Sequence, residues 1–449
     1  MESNPTFAFV TIGSGSYLGS TVRDLTLANS LHERGYKVII YWMLENNAAL
    51  VAEGIEQRML CYGTRYQFKQ PSQLLDRLLG PMLFALPRRV RTAVTQNIPG
   101  FVDRLLSHLV QSLFSQNDTD SGLAKRLARF AKADGVSHLM MSFGTLGPLA
   151  LAAKRLSHPG LEYVLTFQGD EEFHAYAVKL GLDVNFRRRV EEALHNSSWP
   201  AIAISNDYRD RLVREFGLDR RCLEVIYNGV DQPENGGVPP FSALRKIFPE
   251  LREDCPIVTY VGRQESEKGI DLLLYAAKML ALRNVGFQLV VCGSTAKGRA
   301  YQRILDELAA HLDIVIHHAG AISTDVRNTL YAHSRCVVYP SINREPFGLV
   351  AVEAMSHGTP VLVPDQGGIS EVIRQGSIVG GLTFRTWDSA DLAAQLERLL
   401  TDDVLYAKLA GDAKNVAAQF SSVQMTNDIL AHLGLSPGKD SQETIRKVA

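Results

Sequence analysis

Residues 7–43 and 257–293 of this chain share one construction: a short apolar run, a loop, a stretch with apolar residues at three- and four-residue spacing, and a second short apolar run. That pattern reads as strand, loop, amphipathic helix, strand. The two strands must be parallel, because the helix carries the chain back across the sheet. In the first copy, residues 7–12 form a strand, 20–34 a helix closed by Arg34-Gly35, and 37–43 a strand. In the second, IVTYVGR (257–263) is a strand, QESEKG a polar loop, IDLLLYAAKMLALRN a helix and FQLVVCG (287–293) a strand. Apolar runs at 138–143, 162–167, 201–204, 223–227, 314–317, 336–339 and 360–363 continue the alternation. Strands alternating with helices imply an α/β chain of parallel sheets covered on both faces.

At 449 residues the chain is too long for one hydrophobic core. Its composition breaks at NGVDQPENGGVPPF (228–241), where Gly236, Gly237, Pro239 and Pro240 make a linker. The expected domains are 1–235 and 236–422. A last amphipathic helix and polar tail, 423–449, is a candidate to cross back to the first domain. One stretch interrupts the alternation. Residues 71–132 read as mostly helical and carry nine Lys or Arg against four Asp. The plain reading is an inserted helical subdomain with a solvated basic face. The sharper one is peripheral contact with an anionic membrane surface or a lipid-linked acceptor.

The net charge of −1 gives no reason to expect nucleic acid. Five scattered cysteines form no C-x-x-C pair, which argues against a disulfide framework or structural zinc and fits the reducing cytoplasm. The N-terminal residues lack the basic region of a signal peptide. The longest uncharged stretch, 135–153, is broken by His138, Pro148 and three glycines, so no membrane span is expected.

The first loop carries Gly13, Gly15 and Gly19, with Glu45 after the second strand. That is the outline of a dinucleotide site. A richer passage is YPSINREPFGLVAVEAMSHGTPVLVPDQGGISEVI, 339–373. A buried strand end leads through SINREP into a helix expected to start near Pro346 and stop at Gly358. Its N-terminus offers the backbone N–H groups of Phe347, Gly348 and Leu349 to an anion such as a diphosphate. Glu345 lies just before the helix and Glu353 within it. Ionised carboxylates accept paired sugar hydroxyls well. Arg263 at a strand end and Lys268 five residues on can reach beyond the sheet edge, balance a diphosphate, and stabilise it as a leaving group.

In these motifs and their order the chain resembles the retaining glycosyltransferases of family 4, along nearly its whole length. The resemblance implies the GT-B fold, two Rossmann-like domains facing each other across a cleft, with a nucleotide-sugar donor in the second and the acceptor in the first. Glu345 and Glu353 match the family's E-x7-E motif, which implies contact with the donor sugar and the ribose. Arg263 and Lys268 match its diphosphate-binding pair. IYNGVD (226–231) resembles the segment ending its first domain, and HHAGAISTDVRNTLY the stretch contacting the nucleobase, around Ile322. The resemblance then puts the glycine loop, Gly15 included, across the cleft from the donor phosphates. Alone, that loop leaves dehydrogenase, glycosyltransferase and plain tight turn equally open. Glu45 becomes a solvated strand-end residue.

One departure matters. Many family members place a histidine near the transferred sugar in a T-F-H-G pattern; here LTFQGDEEFHAYA puts Gln168 there. An amide bonds a hydroxyl but does not titrate. Asp170, Glu171 and His174 are candidates to take part instead; the plain reading of each is an exposed loop residue. No histidine, the pair His317-His318 included, shows metal-ligand spacing with acids or cysteines, so neither a metal nor a cofactor is expected. The donor is a UDP-sugar by preference, a GDP-sugar by second choice. The acceptor is a polysaccharide, glycan or lipid-linked glycan. The rival readings are a catalytically impaired nucleotide-sugar-binding protein, an NAD-linked oxidoreductase, and a phosphorylase or epimerase on the same fold.

Overall fold

The computed structural model describes residues 4–12, 19–43, 50–60, 110–111, 113–114, 121–233, 238–295 and 300–436. The chain divides into two units, 1–227 with 425–449 and 228–424. The first unit holds seven parallel strands: β1 (Thr6–Thr11), β2 (Lys37–Trp42), β3 (Glu56–Met59), β4 (His138–Met141), β5 (Glu162–Phe167), β6 (Ala201–Ala203) and β7 (Leu223–Val225). Their order is β3-β2-β1-β4-β5-β6-β7. Phe7 pairs with Val38 on one side and His138 on the other, which sets the central register. The helix Gly19–Glu33 returns the chain from β1 to β2. It lays Leu25, Ala28 and Leu31 on Phe7, Phe9, Val38 and Ile40. Met425, Ile429 and Leu430 of the helix Ser422–His432, and Leu433 beyond it, fill the same core.

The second unit holds β8 (Ile257–Val261), β9 (Gln288–Cys292), β10 (Ile316–Ala319), β11 (Cys336–Val338), β12 (Val361–Pro364), an antiparallel pair β13 (Arg374–Gln375) and β14 (Ile378–Val379), and β15 (Gly381–Phe384). The six parallel strands run β10-β9-β8-β11-β12-β15. In each unit the chain steps outward from its first strand, then crosses to the other side. The reversal falls between β1 and β4, and between β8 and β11. Open α/β sheets bind ligands beyond the carboxyl ends of the strands at such a reversal.

Every strand read from an apolar run is present, most with trimmed ends. Four strands carried no such signal. EQRM of β3 is polar because this edge strand exposes Glu56 and Gln57. Short β15 opens on the second of two glycines, Gly381, and β13 and β14 have two residues each. The first division falls at 227/228, ahead of the proline- and glycine-rich run. By Val230 the chain is already bonded into the second unit: its N–H donates to Phe420 O (2.8 Å), and its carbonyl accepts from Ser422 N (2.9 Å). No helix among the described residues is long and apolar enough to cross a membrane.

The loops after β8 and β9 cross at van der Waals limits. Gly293 has φ +137°, and a Cβ there would overlap the Gly262 carbonyl. Gly293→Ala therefore costs about 3 kcal/mol of stability, while Gly286→Ala, with open space around it, stays within about 0.5 kcal/mol. Denaturant melts of the two variants check this.

Candidate functional site

The site is built where β8 and β11 part. The loop after β8 ends at Gly269, whose φ of +63° and absent Cβ let it pass beneath the Pro340 carbonyl. Ile342 N–H and the Ser341 hydroxyl both donate to Glu267 O, at 3.1 and 3.2 Å. These bonds fasten the loop after β8 to the loop after β11. Lys268 and Glu345, 77 residues apart, are thereby brought to 2.8 Å, Nζ to Oε2. The Tyr339 hydroxyl donates to the same oxygen (3.3 Å), and its ring lies 5.4 Å from Lys268 Nζ. Tyr339 stacks on Tyr260, with ring centroids 6.0 Å apart, and Tyr260 OH donates to the Arg263 carbonyl (2.7 Å).

Lys268 is 8% exposed and the Glu345 side chain 19%. Burial is the largest influence on each and opposes its charge. For Glu345 it is outweighed by Lys268, Arg263 and the Tyr339 bond, so the carboxyl stays below the usual range. For Lys268 burial is outweighed by Glu345 and Tyr339, so the ammonium stays above its ordinary range. Burial, then Glu345, pushes Tyr339 up to about 12. The pair is therefore ionised at neutral pH. Oε2 of Glu345 takes both of its bonds, and among the described residues Oε1 has no hydrogen-bond partner.

Arg263 differs from expectation. It lies two residues past β8, and its guanidinium bonds Glu265 Oε2 (2.7 Å) and Glu267 Oε1 (3.2 Å). The site is not an open pair of cations; two cations sit among three carboxylates, and any anionic ligand must compete with Glu265 and Glu267 for Arg263. The helix also begins later than expected, at Leu349, with Pro346 in a bend before it. Gly348 takes φ +87° as its N-cap, a conformation that only glycine adopts cheaply. Gly367, also at +87°, packs on the Glu345 backbone: a Cβ there would lie 2.7 Å from Glu345 O. Phe347 is buried and meets Phe420 edge-on, so only its backbone can serve a ligand. Leu349 is partly buried at the helix start.

Glu353 faces the helix Thr324–His333, whose Tyr331 hydroxyl donates to Oε2 (3.1 Å) and whose Arg327 lies 3.4 Å from Oε1. Partly buried Ile322 precedes that helix, in the loop after β10. Gly13, Gly15, Glu45 and most of 71–132 lie outside the described residues.

In the first unit, Gln168 follows β5 directly, and its side chain is fixed. Nε2 donates to Ser142 O (2.6 Å) and to both oxygens of Asp24 (3.2 and 3.3 Å). The Ser142 hydroxyl donates to Asp24, and Arg23 Nη1 pairs with it at 3.1 Å. All four residues are buried, and among the described residues Gln168 Oε1, Arg23 Nε and Arg23 Nη2 have no partner. Burial pushes the Asp24 carboxyl up against the pull of Arg23, Ser142 and Gln168. Sequence reading missed Asp24. Its signal is a charge in the helix stripe of Leu27, Ala28 and Leu31.

The candidates beside Gln168 are not exposed loop residues. Asp170 is fully buried and accepts from Thr145 N (2.8 Å) and Oγ1 (2.6 Å), and burial pushes it up to about 7. Glu171 pairs with Arg211 at 2.7 Å. His174 packs between Phe186 and Phe216, with centroids at 5.3 and 4.5 Å. The fold also brings His195, Asp219 and Cys222 within 4.8 Å of one another, a grouping their sequence spacing hides. Arg221 chelates that aspartate, at 2.7 Å from Oδ2.

Residues 19–232 match the family model described as Glycosyltransferase Family 4, and 245–416 the one described as Glycosyl transferases group 1. The chain belongs to the glycosyltransferases of this family, with the GT-B fold. It is 32% identical over 241 residues to the D-inositol 3-phosphate glycosyltransferase of Streptomyces bingchenggensis, 51% of each chain. It is 32% identical over 225 residues to that of Rhodococcus opacus, 49% of each. The chain spans about half the length of the curated relatives it matches. Among solved structures, HepE of Anabaena in complex with UDP superposes with a TM-score of 0.68 at 18% identity, covering 96% of this chain and 99% of that one. Sucrose-phosphate synthase from Thermosynechococcus elongatus gives 0.69 at 18%, covering 96% and 98%.

The Glu345 carboxyl is held below its ordinary 4.5, so its contribution to stability is present above that value and lost as pH falls through the folded value. Glu345→Gln leaves Lys268 buried without its counterion. The variant is less stable than wild type by about 3 kcal/mol at pH 7, and the gap closes below pH 4.5. Denaturant melts across pH 3–8 measure it.

Proposed function

We propose that this glycosyltransferase moves a hexose or N-acetylhexosamine from a nucleotide sugar to a glycan, polysaccharide or lipid-linked acceptor, with retention of configuration. The observation that carries the proposal is the buried Lys268–Glu345 pair at the reversal of the second sheet, with Glu345 Oε1 unspent. Lys268, and Arg263 once drawn from its carboxylates, would hold the donor diphosphate together with the backbone at Gly348 and Leu349. Glu345 Oε1 would accept a donor-sugar hydroxyl. Glu353, steadied by Arg327 and Tyr331, would take the ribose hydroxyls, and the Ile322 loop the base. Gln168 would offer Oε1 to a sugar hydroxyl, since Nε2 is already committed to Asp24 and Ser142. In the transfer, the C1–oxygen bond to the diphosphate breaks, the acceptor oxygen bonds C1 on the same face, and its proton leaves with the diphosphate. The two cations stabilise the departing charge. No metal or cofactor is needed in this scheme.

A UDP-sugar is the favoured donor, because solved structures of the similar HepE hold UDP and UDP-glucose. A GDP-sugar is the second choice. The basic stretch 71–132 suits an anionic or lipid-linked acceptor at a membrane surface. The impaired-enzyme reading rests on Gln168, whose amide cannot exchange a proton.

The test is slow donor hydrolysis without acceptor, followed by proton NMR before mutarotation, with UDP-glucose, UDP-N-acetylglucosamine and GDP-mannose. The α-anomer is expected first, and Glu345→Gln slows release about 100-fold or more. A β-anomer appearing first contradicts retention. Donor binding with no release from any of the three supports the impaired reading.

A further inference from the structure

Among the described residues, three non-glycine residues have positive φ: Asn284, Asp313 and Trp387. Asn and Asp tolerate that region; a tryptophan at +69° does not do so cheaply. Yet Trp387 is 64% exposed, whereas Trp42 is 1% exposed and Trp199 partly buried. The fold gains little from the ring, and glycine would fill the turn without strain. The turn itself is tied on every side. Asp388 N donates to Arg385 O (3.0 Å), Arg385 N to Asp391 (2.7 Å), and Thr386 N and Oγ1 to Asp365 (3.2 and 3.0 Å). Asp388 caps the helix Ser389–Thr401. The ring is therefore held out to solvent by a rigid frame, and its purpose lies outside the fold.

Its place in the sheet says what it meets. Trp387 follows β15 at the carboxyl edge that carries the donor residues. Asp365, which anchors the turn, is two residues from Gly367, which packs on Glu345. β11, β12 and β15 are neighbours, so the turn stands two strand spacings, about 10 Å, from the Glu345 loop. We propose that Trp387 is a sugar-stacking platform. It receives the apolar face of a pyranose in the acceptor glycan, a few units from the reacting end, while Arg385 and Asp388 bond its hydroxyls. The turn's other residues, Arg385, Thr386, Asp388 and Ser389, are all polar. A single ring with mixed charges around it suits a carbohydrate. A bilayer or an apolar protein face calls for a broader apolar patch.

This inference rests on the glycan-acceptor reading above. The experiment titrates maltohexaose, cellohexaose and chitohexaose into wild type and Trp387→Gly, following tryptophan emission and calorimetric heat. UDP is titrated into both proteins in parallel. At least one hexaose shifts wild-type emission, and the variant binds it about ten-fold or more weakly. The variant's unfolding midpoint stays level or rises, and its UDP affinity is unchanged. The proposal is overturned if no hexaose binds, if the variant binds equally well, or if its midpoint falls. It is also overturned if vesicles of phosphatidylcholine with phosphatidylglycerol, and no glycan, shift the emission. Failure of UDP to bind wild type sinks the donor reading separately.

Discussion

The second unit is organised around one buried ion pair. Taking Lys268 and Glu345 out of water costs several kcal/mol per charge, and an apolar pair of the same shape would often serve stability as well or better. The pair is therefore poor evidence for a stability device. It holds because its surroundings are fixed in advance. Gly269 passes under Pro340, Gly367 lies on the Glu345 backbone, and two stacked tyrosines form the floor. Each device removes a way for the two loops to separate. What the unit keeps is a charged pair that stays ionised, poised at the edge of a parallel sheet with one carboxylate oxygen to spare.

The first unit repeats the plan with different chemistry. At its own reversal, Asp24, Ser142 and Gln168 form a buried polar hub, with Arg23 paired to Asp24 Oδ1. The hub settles how Gln168 differs from a histidine. Its amide nitrogen is committed to acceptors, so only its carbonyl oxygen is left to receive a hydrogen bond. A histidine in that place could give and take a proton; this residue can only orient. In the proposed transfer, turnover rests on positioning and on charge stabilisation of the leaving group.

The alternation of apolar runs and helical stretches made both parallel sheets legible, because buried strands must be apolar on both faces. Two of the four edge strands escaped: β3 shows solvent its polar side chains, and β15 is short and opens on a glycine. Lys268 and Glu345 were legible as motif residues, but their direct contact was not. It depends on Ile342 reaching Glu267, a bond with no signature in side-chain identity. Arg263 shows the limit from the other side: Glu265 and Glu267 stood in plain view in QESEKG, yet only the fold shows them closing on the guanidinium. Tyr260 and Tyr339 read as ordinary buried strand residues until their hydroxyls were placed. Trp387 had no signal, because a positive φ at a tryptophan is the opposite of what composition suggests.

On the proposed function, the second unit's ion pair seats a nucleoside diphosphate. Calorimetric titration of UDP and GDP into wild type, Lys268→Ala and Glu353→Gln tests it most directly. One nucleotide is expected to bind wild type, with loss of Lys268 weakening it about 100-fold and loss of the Glu353 charge about ten-fold. Equal binding by Lys268→Ala, or no binding of either nucleotide to wild type, would contradict it.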